Sequence, residues 1–303
     1  MIGKNGTGKT SILRNIIDEL RVRPPVNITP KTLSFGKYFT VSISPFDRFD
    51  LPAPDADFNY VYCGLKRAVN VLKTPAERQE ELLAAATKIV DRRLIREWYR
   101  SLVLLLEQEH LDALFPGNLE IEHLESLTYS PEGMQKVLSL GSSGENILLF
   151  VITKIVSEIR NNSLILYDEP ETHLHPNAIS DLMTSLFFLL DDFESFCIMA
   201  THSPLVVREL TASQVIVLTR TGEGLDARPL SIDSFGENLT VITEDIFQNK
   251  DFNKLFIDRL KKLVDKEKDF DRVINSLKSG NIPLSLNTRL YIKTLIDQLE
   301  EPN

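Results

Sequence analysis

Near the start of the chain, Gly3-Lys4-Asn5-Gly6-Thr7-Gly8-Lys9-Thr10 fits the pattern G-x-x-x-x-G-K-[ST], and Ser11 follows it. Glycines let the main chain wrap closely round an anion, so that successive N–H groups and the start of the next helix converge on phosphate oxygens. Lys9 then offers a point charge to the β- and γ-phosphates, and the Thr10 hydroxyl a ligand for Mg²⁺. A second group is Leu164-Ile165-Leu166-Tyr167-Asp168-Glu169, an apolar run ending in two adjacent carboxylates. By itself such a pair is a turn or helix-start feature. Downstream of a phosphate loop, Asp168 completes the Mg²⁺ shell beside Thr10, and Glu169 becomes the general base that polarises the attacking water.

Ala200-Thr201-His202-Ser203-Pro204 closes another apolar run. His202 should therefore emerge at the same edge, where an imidazole can meet the γ-phosphate or the lytic water. Leu140-Gly141-Ser142-Ser143-Gly144-Glu145 stands before a strongly apolar helical stretch. It reads either as a plain serine cap or as a second anion-binding helix start built from Ser142, Ser143, Gly144 and Glu145. One nucleotide already has its cradle, so the second reading implies a homodimer in which this turn covers the partner's nucleotide, giving two composite sites. His173 and His175 alternate within Glu171-Thr172-His173-Leu174-His175-Pro176. With no third ligand evident nearby, this is a turn beside the nucleotide rather than a metal site. His110 and His123 carry no pattern and receive no role.

These residues need a scaffold that brings them to one edge. Ile12, Leu13, Ile16, Ile17 and Leu20 repeat at helical spacing after the loop, and Lys37–Ser44 is a β-branched and aromatic strand stopped by Pro45. Thr74, Pro75 and Glu77 form a helix start for a region reaching about Leu114. Ser163–Tyr167 and Phe196–Ala200 are short apolar runs with a helical stretch between them, which predicts a parallel sheet. Gln214–Arg220 and Leu225–Leu230 read as a hairpin. The fold class is α/β, with a mostly parallel sheet, a helical insertion over roughly 65–130 within a head of residues 1–235, and a helical tail over 236–303.

Composition narrows the partners. With 303 residues and a net charge of −9, the chain can bury a large core but cannot coat nucleic acid over its whole surface. Arg92, Arg96 and Arg100, with Arg93 beside them, make one basic stripe that could touch DNA phosphate, although a solvated face is the commoner meaning of such a stripe. Phe252, Leu255, Phe256, Leu260, Leu263 and Val264 form an apolar tail face, which either packs on the head or docks a partner. Cys63 and Cys197 are too few for a disulfide framework, and no apolar run reaches bilayer length. A cytoplasmic protein with no membrane contact is the expectation.

The order GKNGTGKT, LGSSGE, LILYDEPE, ATHSP resembles the ABC-type ATPase heads of SMC-like and RecF-like proteins, where these are the Walker A loop, signature, Walker B and switch histidine. The ETHLHP stretch and the SPFDRF segment at Ser44–Phe49 are more similar to the compact AAA-family ATPases of OLD-type and of Septu or retron-associated anti-phage systems. The resemblance covers roughly Met1 to Arg220. It implies a P-loop NTPase head that binds ATP and Mg²⁺, dimerises through signature and Walker A, and controls a partner nuclease. The alternatives are a DNA repair or recombination head, or a non-catalytic interaction module. The sequence departs from the family in three ways. Only Met1 and Ile2 precede the loop, which predicts a chain lacking the family's first strands; no glutamine follows the Lys37–Ser44 strand; and the insertion lacks the heptads of a coiled-coil arm. Downstream of His202 no acidic cluster of the toprim nuclease kind is present, so any DNA cutting falls to another protein.

Overall fold

The computed structural model describes residues 1–22, 24–45, 49, 58–68, 70–117, 127–222, 224–247, 255–278 and 283–300. Four parallel strands form the central sheet: β1 (Lys37–Ser42), β2 (Tyr60–Gly64), β5 (Ser163–Asp168) and β6 (Phe196–Ala200), in the order β2-β1-β5-β6. A short antiparallel pair, β3 (Lys66–Ala68) and β4 (Val71–Leu72), follows β2. The two apolar runs expected as buried strands are the neighbours β5 and β6, of which β5 is buried throughout while β6, last in the sheet order, is buried only at Ala200 and leaves Phe196 exposed. Their register places Asp168 between Ser42 and Ala200, so three strands end level at one edge.

Alternation along the strands loads both faces of this sheet. Ile165 and Tyr167 of β5, with Phe39 and Val41 of β1, join the larger core beneath the helices. Leu164, Leu166 and Tyr38 face the other way, onto Leu13, Ile17 and Leu20 of α1 (Lys9–Arg21). The sheet is thus sandwiched between helices, as parallel sheets require.

Thr74 starts α2 (Pro75–Asp91) with the reciprocal cap that its sequence predicts: its side chain accepts from the Glu77 N–H at 3.2 Å, and Glu77 Oε2 accepts from the Thr74 N–H at 2.8 Å. The helical region to Leu114 is three pieces, with α3 (Ile95–Leu102) and α4 (Gln108–Leu114) following a break where Arg93 takes a φ of 59°. Next come α5 (Pro131–Leu140) and α6 (Ser143–Glu158). Trp98 on α3 is fully buried and donates its indole N–H to Thr153 Oγ1 of α6 at 2.9 Å. Between β5 and β6 runs α7 (Pro176–Asp192), and after β6 the short α8 (Pro204–Arg208).

Two members of the arginine stripe are held internally. Arg92 donates to the carbonyls of Val156, Ser157 and Ile159 at the end of α6, where a cation meets the negative end of the helix dipole. Arg100 forks onto Asp192 of α7 at 3.0 and 3.1 Å. Arg93 and Arg96 are exposed.

The expected hairpin forms as β7 (Ile216–Thr221) and β8 (Gly224–Pro229). Ile2 bridges both Thr201 and Val217 in parallel, so the residue just before the phosphate loop ties β7 to the end of β6. The chain divides into two compact units, Met1–Gln248 and Asn249–Asn303. The first includes α9 (Leu239–Phe247), which the sequence reading puts in the tail; its Ile242 and Ile246 pack with Ile2, Val217 and Leu230. The second contains α10 (Leu255–Glu267), α11 (Phe270–Leu277) and α12 (Leu286–Glu300). Here Leu260 and Val264 of the apolar tail face bury against Val273, Ile292 and Ile296 in a core of the unit's own. Phe252 lies outside the described residues. Among the described residues no helix is long and apolar enough to cross a membrane.

Candidate nucleotide site

The phosphate-loop pattern folds into the turn that leads into α1. Gly6 and Gly8 have φ of 80° and 95°, a region where a side chain costs free energy, and Gly8 is the residue that caps α1. Gly3 and Thr7 are buried, Lys4, Asn5, Gly6 and Ser11 exposed, and Thr10 is half-buried. Thr7 closes the turn by donating its hydroxyl to the Lys4 carbonyl at 2.9 Å. Lys9 is buried, and its ammonium donates to the carbonyls of Gly3 at 2.9 Å and Lys4 at 3.1 Å. Burial lowers its pKa, while the carboxylates of Glu169, Asp168 and Glu171 pull the other way. A phosphate in the turn would replace those neutral carbonyls with anionic acceptors.

Across 158 residues of sequence, Thr10 Oγ1 donates to Asp168 Oδ2 at 2.8 Å. A hydroxyl and a carboxylate in contact at a sheet edge make an all-oxygen donor set of the kind Mg²⁺ takes together with phosphate and water. The residues present therefore fit the ion that the loop implies. Asp168 is buried at the end of β5, whereas the next residue, Glu169, turns away: its φ of 49° lies in the left-handed region, and its N–H donates to the Ala200 carbonyl at 2.8 Å. This is a strained conformation for a residue with a Cβ. It leaves the Glu169 side chain one-third exposed beside His202, with Oε1 3.5 Å from Nδ1. The sequence-predicted Lys9, Thr10, Asp168, Glu169 and His202 thus gather at one edge.

One carboxylate in this cluster escaped the sequence reading. Glu171 is buried, and its Oε1 accepts from Thr201 Oγ1 at 2.6 Å, the His202 N–H at 2.9 Å and the Ser203 N–H at 3.1 Å. His202 Nδ1 also lies 3.2 Å away, at ion-pair distance but without hydrogen-bond geometry. Glu171 therefore clamps the loop that carries His202 onto the end of β5. Glu171→Ala should lower unfolding stability by about 3 kcal/mol, because three partly buried donors lose a charged acceptor. Glu171→Gln, whose amide oxygen can still accept, should keep most of that stability in urea denaturation. An alanine variant as stable as the parent would contradict the clamp.

Ser142, Ser143, Gly144 and Glu145 do not join this cluster within one chain. Ser142 caps α6, with its hydroxyl accepting from the Glu145 N–H at 3.2 Å and its own N–H donating to Glu145 Oε2 at 2.8 Å. The plain serine cap is therefore made, yet both serines remain exposed. Glu145 Oε1 also meets Nδ1 of the buried His110 at 3.1 Å, which gives His110 a structural place. A Cβ on Gly144 would come to 3.6 Å from the His173 carbonyl, so the serine turn lies beside the stretch that follows Asp168 and Glu169. His173 has a φ of 67°, and His175 caps α7 through Nδ1, which accepts from the Asn177 N–H. His123 lies outside the described residues, as do Phe46, Asp47 and Arg48 of the SPFDRF segment.

Residues 66–207 match the model of the AAA ATPase domain family, a span that takes in the serine turn, Asp168, Glu169, Glu171 and His202. Over an alignment of 334 residues the chain is 31% identical to the protein ea59 of Escherichia phage lambda, with 99% of this chain and 62% of that protein covered. The chain thus spans about three-fifths of its relative's length. With a parallel sheet whose level edge carries the acids and the histidine, the chain has a P-loop NTPase-type α/β fold and is similar, over residues 66–207, to the AAA ATPase domain family.

Proposed function

We propose that this chain binds and hydrolyses ATP with Mg²⁺, that two copies close head to tail round the nucleotide, and that the cycle governs a separate nuclease in anti-phage defence. The observation that carries the ATPase reading is the Thr10–Asp168 contact of 2.8 Å, which joins the phosphate loop to the Walker B strand. The match over residues 66–207 supports the same activity. The exposed Ser142–Ser143 turn supports the head-to-tail closure, since its outer face is free to meet a second copy. The nuclease and the defence role rest on the sequence resemblance of the Glu171–Pro176 and Ser44–Phe49 segments.

In this reading Lys9 exchanges the Gly3 and Lys4 carbonyls for phosphate oxygens, and the N–H groups that start α1 complete the cradle. Thr10 and Asp168 would hold Mg²⁺, which neutralises charge on the phosphates. Glu169, partly exposed at the edge, takes the proton of the attacking water at a carboxylate oxygen. Nδ1 of His202 faces the carboxylates of Glu169 and Glu171, which leaves Nε2 for the nucleotide. Position and electrostatics do the work, as phosphoryl transfer requires.

Phosphate release from ATP by the purified chain tests the ATPase reading. Turnover with Mg²⁺ that vanishes in EDTA is the expected result, and no turnover with Mg²⁺ would overturn it.

A further inference from the structure

Away from the nucleotide edge, a cavity of about 380 Å³ opens between the start of α2 and the first two turns of α6. Ile43, Leu65, Leu82, Leu138, Ile147 and Phe150 make it apolar, while Arg78, Gln79, Ser143 and Asn146 add polar groups to its wall. Two of these are incomplete. Arg78 Nε is buried without a hydrogen-bond partner, and the guanidinium has no ion pair among the described residues. Two acids on its own helix are engaged elsewhere: Glu77 with Arg67, and Glu81 with Lys73 and Lys154. Asn146 donates from Nδ2 to the carbonyls of Leu138 at 3.3 Å and Gly141 at 3.2 Å, which fixes the amide and leaves Oδ1 buried with no donor.

We propose that this cavity is a second ligand site, for a small amphipathic acid whose apolar body fills the space between α2 and α6. Its carboxylate pairs with Arg78, and an N–H group serves Asn146 Oδ1. The size favours a small molecule over a peptide, since the volume falls within the usual range of small-molecule clefts, roughly 300–1,000 Å³. Chemistry decides for an anion: a guanidinium on a largely apolar wall, with no ion pair among the described residues, gains most from a carboxylate, which it can grip with two parallel bonds. Burying orphaned polar atoms without a partner is unfavourable, and a ligand that satisfies both converts that penalty into affinity. The site makes no use of the phosphate loop, so it stands whether or not the chain hydrolyses ATP.

Indole-3-propionate serves as the probe, because it joins a carboxylate to an aromatic body with one N–H donor. Isothermal titration of the full chain should give saturable one-to-one binding. Its neutral amide should bind about tenfold more weakly, the effect of losing one charged hydrogen-bonded pair. Arg78→Met should weaken the acid by a similar factor while leaving the amide unchanged, and Arg78→Lys should restore part of the preference for the acid. A thermal melt of each variant reports whether it has folded, and Leu138→Trp, which fills the cavity mouth, removes binding by a second route. Equal affinity for acid and amide, undiminished binding in Arg78→Met, or no saturable binding up to the probe's solubility would overturn the proposal.

Discussion

Lys9→Ala leaves the chain folded and weakens ATP binding by at least about 100-fold, the loss that follows truncation of a buried, hydrogen-bonded charge in a binding site. The expectation follows from where the ammonium sits. It is buried under the loop, with two backbone carbonyls as its hydrogen-bond acceptors among the described residues, and burial already lowers its pKa despite three carboxylates nearby. A triphosphate brings anionic oxygens into hydrogen-bonding contact where neutral carbonyls now stand. Lys9→Met, which keeps the aliphatic stem, separates packing from charge: it should fold as the parent does and bind ATP as poorly as the alanine variant. Titration calorimetry with ATP reads both, and an affinity within about threefold of the parent would remove Lys9 from the phosphate cradle.

The parts of the site that sequence reveals are those where the backbone itself constrains residue type. Gly6 and Gly8 occupy left-handed positions, and the level ends of β5 and β6 follow from short apolar runs closed by Asp168 and Ala200. Glu171 was illegible for the opposite reason. Its role depends on Thr201, His202 and Ser203 being 30 to 32 residues away in sequence but one hydrogen bond away in space, and a carboxylate in a turn has no local mark of that. The arginine stripe shows the converse. Its helical spacing is interrupted, since Arg92 caps the end of α2, Arg93 takes a φ of 59° and only Arg96 and Arg100 share α3, and which side chains reach Asp192 or the end of α6 is a matter of tertiary packing.

Among the elements, β2 was missed because Tyr60–Gly64 is five residues long and lies in a segment with prolines at 45, 52 and 54, where local pattern carries little weight. Its pairing with β1 supplies what its own length does not. The start of α5 was present in the sequence as Ser130-Pro131, the same device as Thr74-Pro75, with Ser130 Oγ accepting from the Gly133 N–H at 3.0 Å. Gly133 and Ser139 dilute the helical period that would have confirmed it.

Glu169→Gln is expected to bind ATP at least as well as the parent and to hydrolyse it 10²- to 10⁴-fold more slowly, the usual range for loss of a general base. The substitution keeps side-chain length and backbone conformation, and among the described residues the carboxylate's one hydrogen bond is a long one of 3.5 Å from the Thr172 hydroxyl, so the fold has little reason to respond. What changes is charge and basicity. Glu169 lies beside Asp168, with which it acts electrostatically on Lys9, and removing one negative charge from that edge favours a triphosphate. Bound ATP that is not consumed should then hold two copies together, and size-exclusion chromatography with ATP and Mg²⁺ should show a dimer. Adding Ser143→Arg to this variant places a bulky side chain on the exposed serine turn, far in sequence from the phosphate loop; it should leave ATP bound to a monomer. Parental turnover in Glu169→Gln would remove Glu169 as the base. A dimer that survives the arginine would show that the copies meet through some other surface, because a turn that closes over a partner's phosphates cannot accommodate that side chain without separating from them.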